Sequence, residues 1–327
     1  MNAQATQDIP ERDRPRRRWI RRILVGFGAT TALSLVLVLA AAYVWQPVTD
    51  PYVSKYLTRI ESRYAQTAVA NFHYTRTGQG SPVVLVPGGG QWLYSYRDVV
   101  PVLAERHTVF AVDLPGQGYT TLNQRDFTYD LDAMAAALGE FMDAVGLSKS
   151  SIVGHSWGGA ISLYFAERQP HRVDRLGLLA APGLDVPSSW DWRPLEVPVV
   201  GELMTKLMTK QNSAATQRKS FANPERVTPE LIDENWAPLS KPSNRTALWA
   251  QQRRFDYSLT ERLLGQVQAP TLVVWGGADQ FDEPWQAAEL ARRIPDARSQ
   301  VFEGCGHSVH EDCTDRVVPL LDSFLAN

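Results

Sequence analysis

The chain has 327 residues, 44% hydrophobic and 21% charged. That composition is globular and excludes disordered, collagen-like and mucin-like classes. Thirty-three basic against 35 acidic residues give a formal charge of −2, so the broad positive field that nucleic acid requires is absent and no nucleic-acid partner is expected. Two cysteines cannot build a disulfide scaffold or a Cys₄ zinc site.

The first 22 residues carry seven arginines (Arg12, Arg14, Arg16, Arg17, Arg18, Arg21, Arg22) against Asp8, Glu11 and Asp13. Ile23 to Trp45 then runs without a charge or a proline. As a helix it spans roughly 35 Å, enough for a bilayer core. Trp19 on one flank and Tyr43 and Trp45 on the other suit the two interfaces, and the arginines predict a cytoplasmic N-terminus. The expectation is a single-pass membrane anchor over residues 23–45, with the remainder extracytoplasmic. A cleaved signal peptide competes with it, because Ala40-Ala41-Ala42 offers small residues for cleavage and Arg16-Arg17-Arg18 loosely resembles a twin-arginine signal; the apolar stretch is longer than a usual signal core. A buried core helix would not normally carry these flanks.

Past a linker over residues 46–65, β-rich apolar runs alternate with amphipathic stretches. Strands are predicted at Val83–Val86, Thr108–Val112, Ser151–Val153, Leu176–Ala180, Thr271–Trp275 and Ser299–Phe302, with an antiparallel pair around Ala68–Tyr74. Near-continuous apolar strands belong to a sheet covered on both faces. Leu131, Met134, Ala135, Leu138, Phe141, Met142 and Val145 recur at helical spacing, and Gly146 ends that helix. A second helix runs from about Gly158 to Arg168, before Pro170, and a third begins near Pro284. The alternation predicts an α/β fold with a mostly parallel sheet. Residues 183–265 break it: about 80 residues with helical patches and many tryptophans are too long for a loop. They read as a helical insert between core halves at 66–182 and 266–327.

The strongest chemical signal is Gly154-His155-Ser156-Trp157-Gly158-Gly159, which matches G-x-S-x-G between a strand and a helix. A sharp turn there holds the serine Oγ at the sheet edge, and small flanking residues avoid clashes. His155 is expected to be turned away from Ser156. A serine hydroxyl needs a base, and the base needs an orienting group. His307, in Gly304-Cys305-Gly306-His307-Ser308, and Asp279, in Trp275-Gly276-Gly277-Ala278-Asp279, each follow a predicted strand. The order Ser156, Asp279, His307 is the order expected for this elbow. His310 is the second candidate base; Asp282 and then Asp185 are further candidate acids. The oxyanion needs two N–H donors: Trp157 supplies one, and Gly88-Gly89-Gly90 the other, with Gly89 preferred to Gly90.

With Val86-Pro87-Gly88-Gly89-Gly90, Asp113-Leu114-Pro115-Gly116-Gln117-Gly118, the Ser156 elbow, Gly276-Gly277-Ala278-Asp279 and Gly306-His307 in that order, the sequence resembles the α/β-hydrolase superfamily, specifically its capped, lipase- and esterase-like members, over roughly Tyr64 to Phe324. The resemblance implies Ser156 as nucleophile, Asp279 as acid, His307 as base, and residues 183–265 as the cap. Many relatives carry His-Gly where this chain has Pro87-Gly88. Serine at 156 speaks against dehalogenase or epoxide hydrolase chemistry, which uses aspartate there.

The expected function is hydrolysis of a small-molecule carboxylic ester, lipid-like in one version, through an acyl-enzyme, with no metal or organic cofactor. Aminopeptidase-like cleavage or carbon–carbon bond hydrolysis by the same triad is the alternative, and a non-enzymatic binding protein on this fold a further one. For a peptidase, Glu225, Glu230, Asp233 and Glu234 are the cap acids available to a free amine. Some cap tryptophans are expected to face the site. Cys305 and Cys313 flank His307 and either pair in an oxidising compartment or stay free. Oligomeric state is left open.

Overall fold

The computed structural model describes residues 14–47 and 52–326 and falls into two units, Met1–Gln46 and Pro47–Asn327. The basic residues before Arg14 lie outside the described residues. Among the described residues the first unit holds one helix, α1 (Arg14–Tyr43). Its segment Arg18–Tyr43 is long and apolar enough to cross a membrane by length and composition, a test that a signal sequence also passes.

The second unit follows the predicted alternation. Strands β1 (Arg63–Gln66), β2 (Ala70–Thr77) and β3 (Ser81–Val86) lead to the short α2 (Val100–Leu103), β4 (His107–Val112) and β5 (Thr121–Leu122). Then come α3 (Leu131–Ala144), β6 (Ser150–His155), α4 (Ser156–Arg168) and β7 (Val173–Leu179). Helices α5 (Arg193–Glu196), α6 (Val200–Lys206), α7 (Lys210–Lys219), α8 (Pro229–Leu239), α9 (Pro242–Arg254) and α10 (Tyr257–Leu263) fill the insert. The chain closes with β8 (Thr271–Gly276), α11 (Trp285–Arg293), β9 (Ala297–Phe302), α12 (Val309–Asp312) and α13 (Thr314–Ala326).

The sheet order is β1-β2-β4-β3-β6-β7-β8-β9, with β5 on β2. β2 runs antiparallel to β1 and β4, and every pairing from β4 through β3, β6, β7 and β8 to β9 is parallel. Strands β4, β6 and β8 are buried along their whole length, because helices cover both faces and leave no position for a polar side chain to reach water. One apolar cluster joins Phe72, Val84 and Ile152 to Leu138, Phe141, Ile161 and Phe165 of α3 and α4. A second joins Val83, Leu85 and Val274 to Tyr96, Leu103, Val317 and Leu321. Parallel strands end together, so the loops after β3, β6, β8 and β9 gather at one edge of the sheet.

The sequence reading places each predicted strand within three residues of its observed bounds. It missed β5, the helical turns between residues 93 and 103, and the C-terminal helices α12 and α13. Helix α10, inside the predicted insert, packs on α4 of the core.

Candidate active site

The turn from β6 to α4 carries Ser156 at φ +50°, in the left-handed region, although serine has a Cβ. Holding a non-glycine residue there costs on the order of 1 kcal/mol or more, and the packing around the turn maintains it. Gly158 allows the crossing: a Cβ there would stand 2.2 Å from the Pro87 carbonyl oxygen. The strain lifts the Ser156 hydroxyl out of the helix and leaves it 3.0 Å from His307 Nε2. His307 Nδ1 lies 2.8 Å from Asp279 Oδ2. Asp279 Oδ1 accepts from the Phe281 and Asp282 backbone N–H groups at 2.8 and 3.1 Å. All three side chains are buried. The structure therefore brings together the three residues that the sequence singled out, in one hydrogen-bonded series.

Electrostatics suits a base. Burial disfavours the His307 imidazolium, but Asp279, and behind it Asp282, more than offset this and raise its pKa. Asp282 Oδ2 is 3.9 Å from His307 Nδ1. Desolvation, opposed by His307 and aided by Asp279, pushes the Asp282 carboxyl up to about 6. Asp185 and His310 take no part in the series. Asp185 lies away from His307 on an exposed stretch beside Glu261. His310 is buried between Tyr96 and His155, where burial and Arg97 push its pKa down to about 3.

His155 turns away from Ser156, with Nε2 3.0 Å from the His307 carbonyl oxygen and Nδ1 2.8 Å from Gln91 Oε1. Gln91 also donates to Ser308 Oγ at 3.3 Å and Glu311 Oε2 at 3.1 Å, and Arg97 pairs with Glu311 at 2.5 Å. Sequence reasoning missed Gln91; its place directly after the three glycines was the available signal.

Trp157 is the second residue of α4, so its N–H has no partner within the helix. Gly89 lies on the Trp157 indole, where a Cβ would stand 2.2 Å from Cε3. The Pro87-Gly88 peptides are held from behind by Gln117, whose Nε2 donates to Pro87 O at 2.9 Å and Gly88 O at 3.1 Å. Asp113 of the same motif accepts from the Leu93 and Tyr119 N–H groups. That motif thus acts as scaffold for the glycine loop after β3.

The loop bearing His307 is fixed twice. Cys305 and Cys313 form a disulfide eight residues apart in sequence. Asp312 accepts from Gly306 N at 2.7 Å, Ala222 N at 2.9 Å and Asn223 N at 3.1 Å, which latches the insert onto the loop.

Over Ser156 lies a cavity lined by core residues and by Trp192, Met208, Gln217, Asn235, Leu239 and Leu248 of the insert. Among the described lining residues there is neither lysine nor arginine. Asn235 Oδ1 and Ser189 Oγ, both on this lining, are buried without a hydrogen-bond partner. Of the insert's tryptophans, Trp192 faces the cavity while Trp190 is exposed. The cap acids do not reach it. Glu225 and Glu230 border a separate surface cavity, Asp233 bonds Tyr52 and Lys210, and Glu234 bonds Ser54. The expectation that these four could hold a substrate amine is corrected: Glu230, Asp233 and Glu234 turn to Arg59, Tyr52 and Ser54 of the segment before β1, and Glu225 lies in the turn before α8.

The α/β-hydrolase fold family model matches residues 81–313, and the chain belongs to that family. A 2-hydroxy-6-oxo-6-phenylhexa-2,4-dienoate hydrolase of Burkholderia cepacia is 29% identical over 292 residues, 86% of this chain and 99% of the relative. A cis-3-alkyl-4-alkyloxetan-2-one decarboxylase of Shewanella oneidensis is 26% identical, over 77% of this chain and 84% of its own. A meta-cleavage product hydrolase of Pseudomonas fluorescens, 24% identical, superposes with a TM-score of 0.73 over 83% of this chain and 100% of its own. The chain is a hydrolase-fold enzyme by this membership.

Proposed function

We propose that the chain is a serine-dependent hydrolase that breaks a bond beside a carbonyl, with carbon–carbon bond hydrolysis as the leading reaction. The observation that carries it is the series Ser156 Oγ, His307 Nε2, His307 Nδ1, Asp279 Oδ2 at 3.0 and 2.8 Å. His307 takes the Ser156 proton as Oγ adds to the carbonyl, and Asp279 stabilises the imidazolium. The Trp157 and Gly89 N–H groups hold the oxyanion. When the tetrahedral centre collapses, the C–C bond breaks and the leaving carbon takes the proton from His307. Water, deprotonated by His307, then frees the acid from the acyl-serine. No step draws on a metal or an organic cofactor.

The Burkholderia relative, a hydrolase of a 6-oxo-dienoate by its name, supports carbon–carbon cleavage over the ester reading that the sequence put first. The ester reading keeps one observation. A dienoate carries a carboxylate, and the described cavity lining offers it no lysine or arginine, so a neutral acyl substrate fits the cavity chemistry better than an anionic one. The test compares wild type with Ser156→Ala on a 6-oxo-dienoate, on an uncharged β-diketone and on p-nitrophenyl esters. Serine-dependent loss of either ketone upholds carbon–carbon hydrolysis; turnover confined to the esters replaces it with ester hydrolysis.

We further propose that α1 is a retained single-pass anchor with its N-terminus cytoplasmic, supported by the length of Arg18–Tyr43 and the arginine flank. Intact mass of the membrane-extracted protein tests it: loss of the first 40 or so residues would make α1 a cleaved signal.

A further inference from the structure

Helix α6 is inside out. Glu202 and Thr205 are buried; Glu202 accepts from both Arg253 Nη atoms at 2.8 and 3.1 Å, and Thr205 Oγ1 donates to Gly201 O at 3.1 Å. The opposite face is apolar. Val197 is 49% exposed, Val200 42%, Met204 43% and Leu207 60%. Val200, Met204 and Leu207, four and three residues apart along α6 and its end, share one stripe, and Val197 lies in the turn before it. Trp190, 80% exposed, lies just before them with Arg193 over its ring at 4.2 Å.

A soluble domain gains nothing from presenting a contiguous apolar stripe to water while burying a carboxylate on the other side of the same helix. Such a stripe marks an interaction surface. The occupant follows from two further observations. The chain carries a bilayer-length apolar helix ending at Tyr43. Nine residues later, Tyr52 is bonded to this same insert, its OH to Asp233 Oδ2 at 3.0 Å and its N–H to Ser240 Oγ at 3.3 Å. Nine residues reach about 30 Å at most, so an inserted α1 holds the cap within that distance of the bilayer surface.

We propose that the α5–α6 face of the cap rests on a lipid bilayer, with Val197, Val200, Met204 and Leu207 in the acyl boundary and Trp190 and Arg193 at headgroup level. A tryptophan with a cation on its face suits that level. Trp192 and Met208, which bracket this segment, both line the cavity over Ser156. The face therefore places one wall of the cavity at the lipid, and the substrate class it fits is an uncharged, membrane-dissolved acyl compound. This inference rests on the anchor reading of α1 and is independent of which bond is cleaved.

The test uses the full chain reconstituted in phosphatidylcholine vesicles. Cys305 and Cys313 are paired, so a cysteine introduced by Met204→Cys, Leu35→Cys or Glu105→Cys is the single thiol for an environment-sensitive fluorophore. Nitroxide lipids and aqueous iodide serve as quenchers. The proposal expects the label at 204 to lose most of its emission to nitroxide lipid, as the label at 35 does, while the label at 105 answers to iodide alone. A label at 204 that answers only to iodide overturns it. One at 204 shielded from both quenchers also overturns it, in favour of a second protein surface. A label at 35 untouched by nitroxide lipid removes the anchor, and the inference with it; the hydrolase chemistry stands apart from both results.

Discussion

Ser156 holds a strained backbone conformation with its hydroxyl 3.0 Å from His307 Nε2. Ser156→Ala is expected to fold and to lose turnover by on the order of 10⁶, measured by active-site-dependent product release. His307 must be neutral to accept the serine proton. Its pKa is raised, with Asp279 outweighing burial, so kcat/KM should fall as pH drops through a value above the ordinary 6.5. Asp279→Asn removes the charge that raises it. The acid limb should move to lower pH while the rate drops roughly 10³–10⁴-fold; an unmoved limb would mean that His307 is not the group being titrated. Far from the site, Glu167 on α4 is buried with neither carboxylate oxygen bonded, and burial pushes it up to about 9. The folded state therefore binds a proton that the unfolded state releases above about 4.5, and stability is lost as pH rises from there to about 9. Glu167→Met should gain stability over wild type progressively across that window, by a few kcal/mol at its top. Melts at pH 4, 6 and 8 read the widening gap, and a constant gap would refute the assignment.

Among the elements, the loop from β9 to α12 shows how firmly His307 is held. Its disulfide closes a short loop, worth roughly 2–3 kcal/mol on the chain-entropy account, and Asp312 ties the insert to it through three backbone N–H groups. Replacing Cys305 and Cys313 by serine should lower the melting temperature and reduce kcat more than it changes KM, because the substrate wall stays and the base loosens. An equal loss in both would place the disulfide's role in the cavity wall instead. The apolar run at Ser299–Phe302 identified β9, whereas the helices after it were not read from the sequence. The pairing of the two cysteines was not legible, because eight residues of spacing serve a buried thiol pair as well as a bridge.

At the scale of the whole molecule, the segment before β1 is a strap. Glu234, buried on α8, accepts from Ser54 Oγ and from the Lys55 and Tyr56 N–H groups, and Trp92 Nε1 donates to the Glu234 carbonyl oxygen at 3.0 Å. The same helix carries Asn235 and Leu239 on the cavity. Glu234→Ala leaves the buried Ser54 hydroxyl and the half-buried Lys55 and Tyr56 N–H bonds without their acceptor and should cost about 1–3 kcal/mol. Hydrogen exchange should rise at residues 54–57 and along α8. Unchanged exchange on α8 would show that the strap does not steady the cap.

Local pattern carried most of the fold and the three residues of the Ser156 series. Strand burial on two faces imposes continuous apolar runs, and a strained strand-to-helix turn demands small residues at fixed offsets from the serine; both are short-range requirements written in adjacent residues. What the tertiary structure decided joins residues far apart in the chain. Gln117 props the Pro87-Gly88 peptides, Gln91 links His155 to Glu311, Asp312 latches residues 222 and 223, and Glu234 receives residues 54–56. The four cap acids looked alike in sequence, and packing alone turned Glu230, Asp233 and Glu234 to the strap and left Glu225 on the surface cavity. Helix α6 reads as an ordinary amphipathic segment until its neighbours are placed. Only then does Arg253 draw Glu202 inward and leave the apolar stripe outside, because which face of a helix is buried is set by what packs against it and not by the periodicity itself.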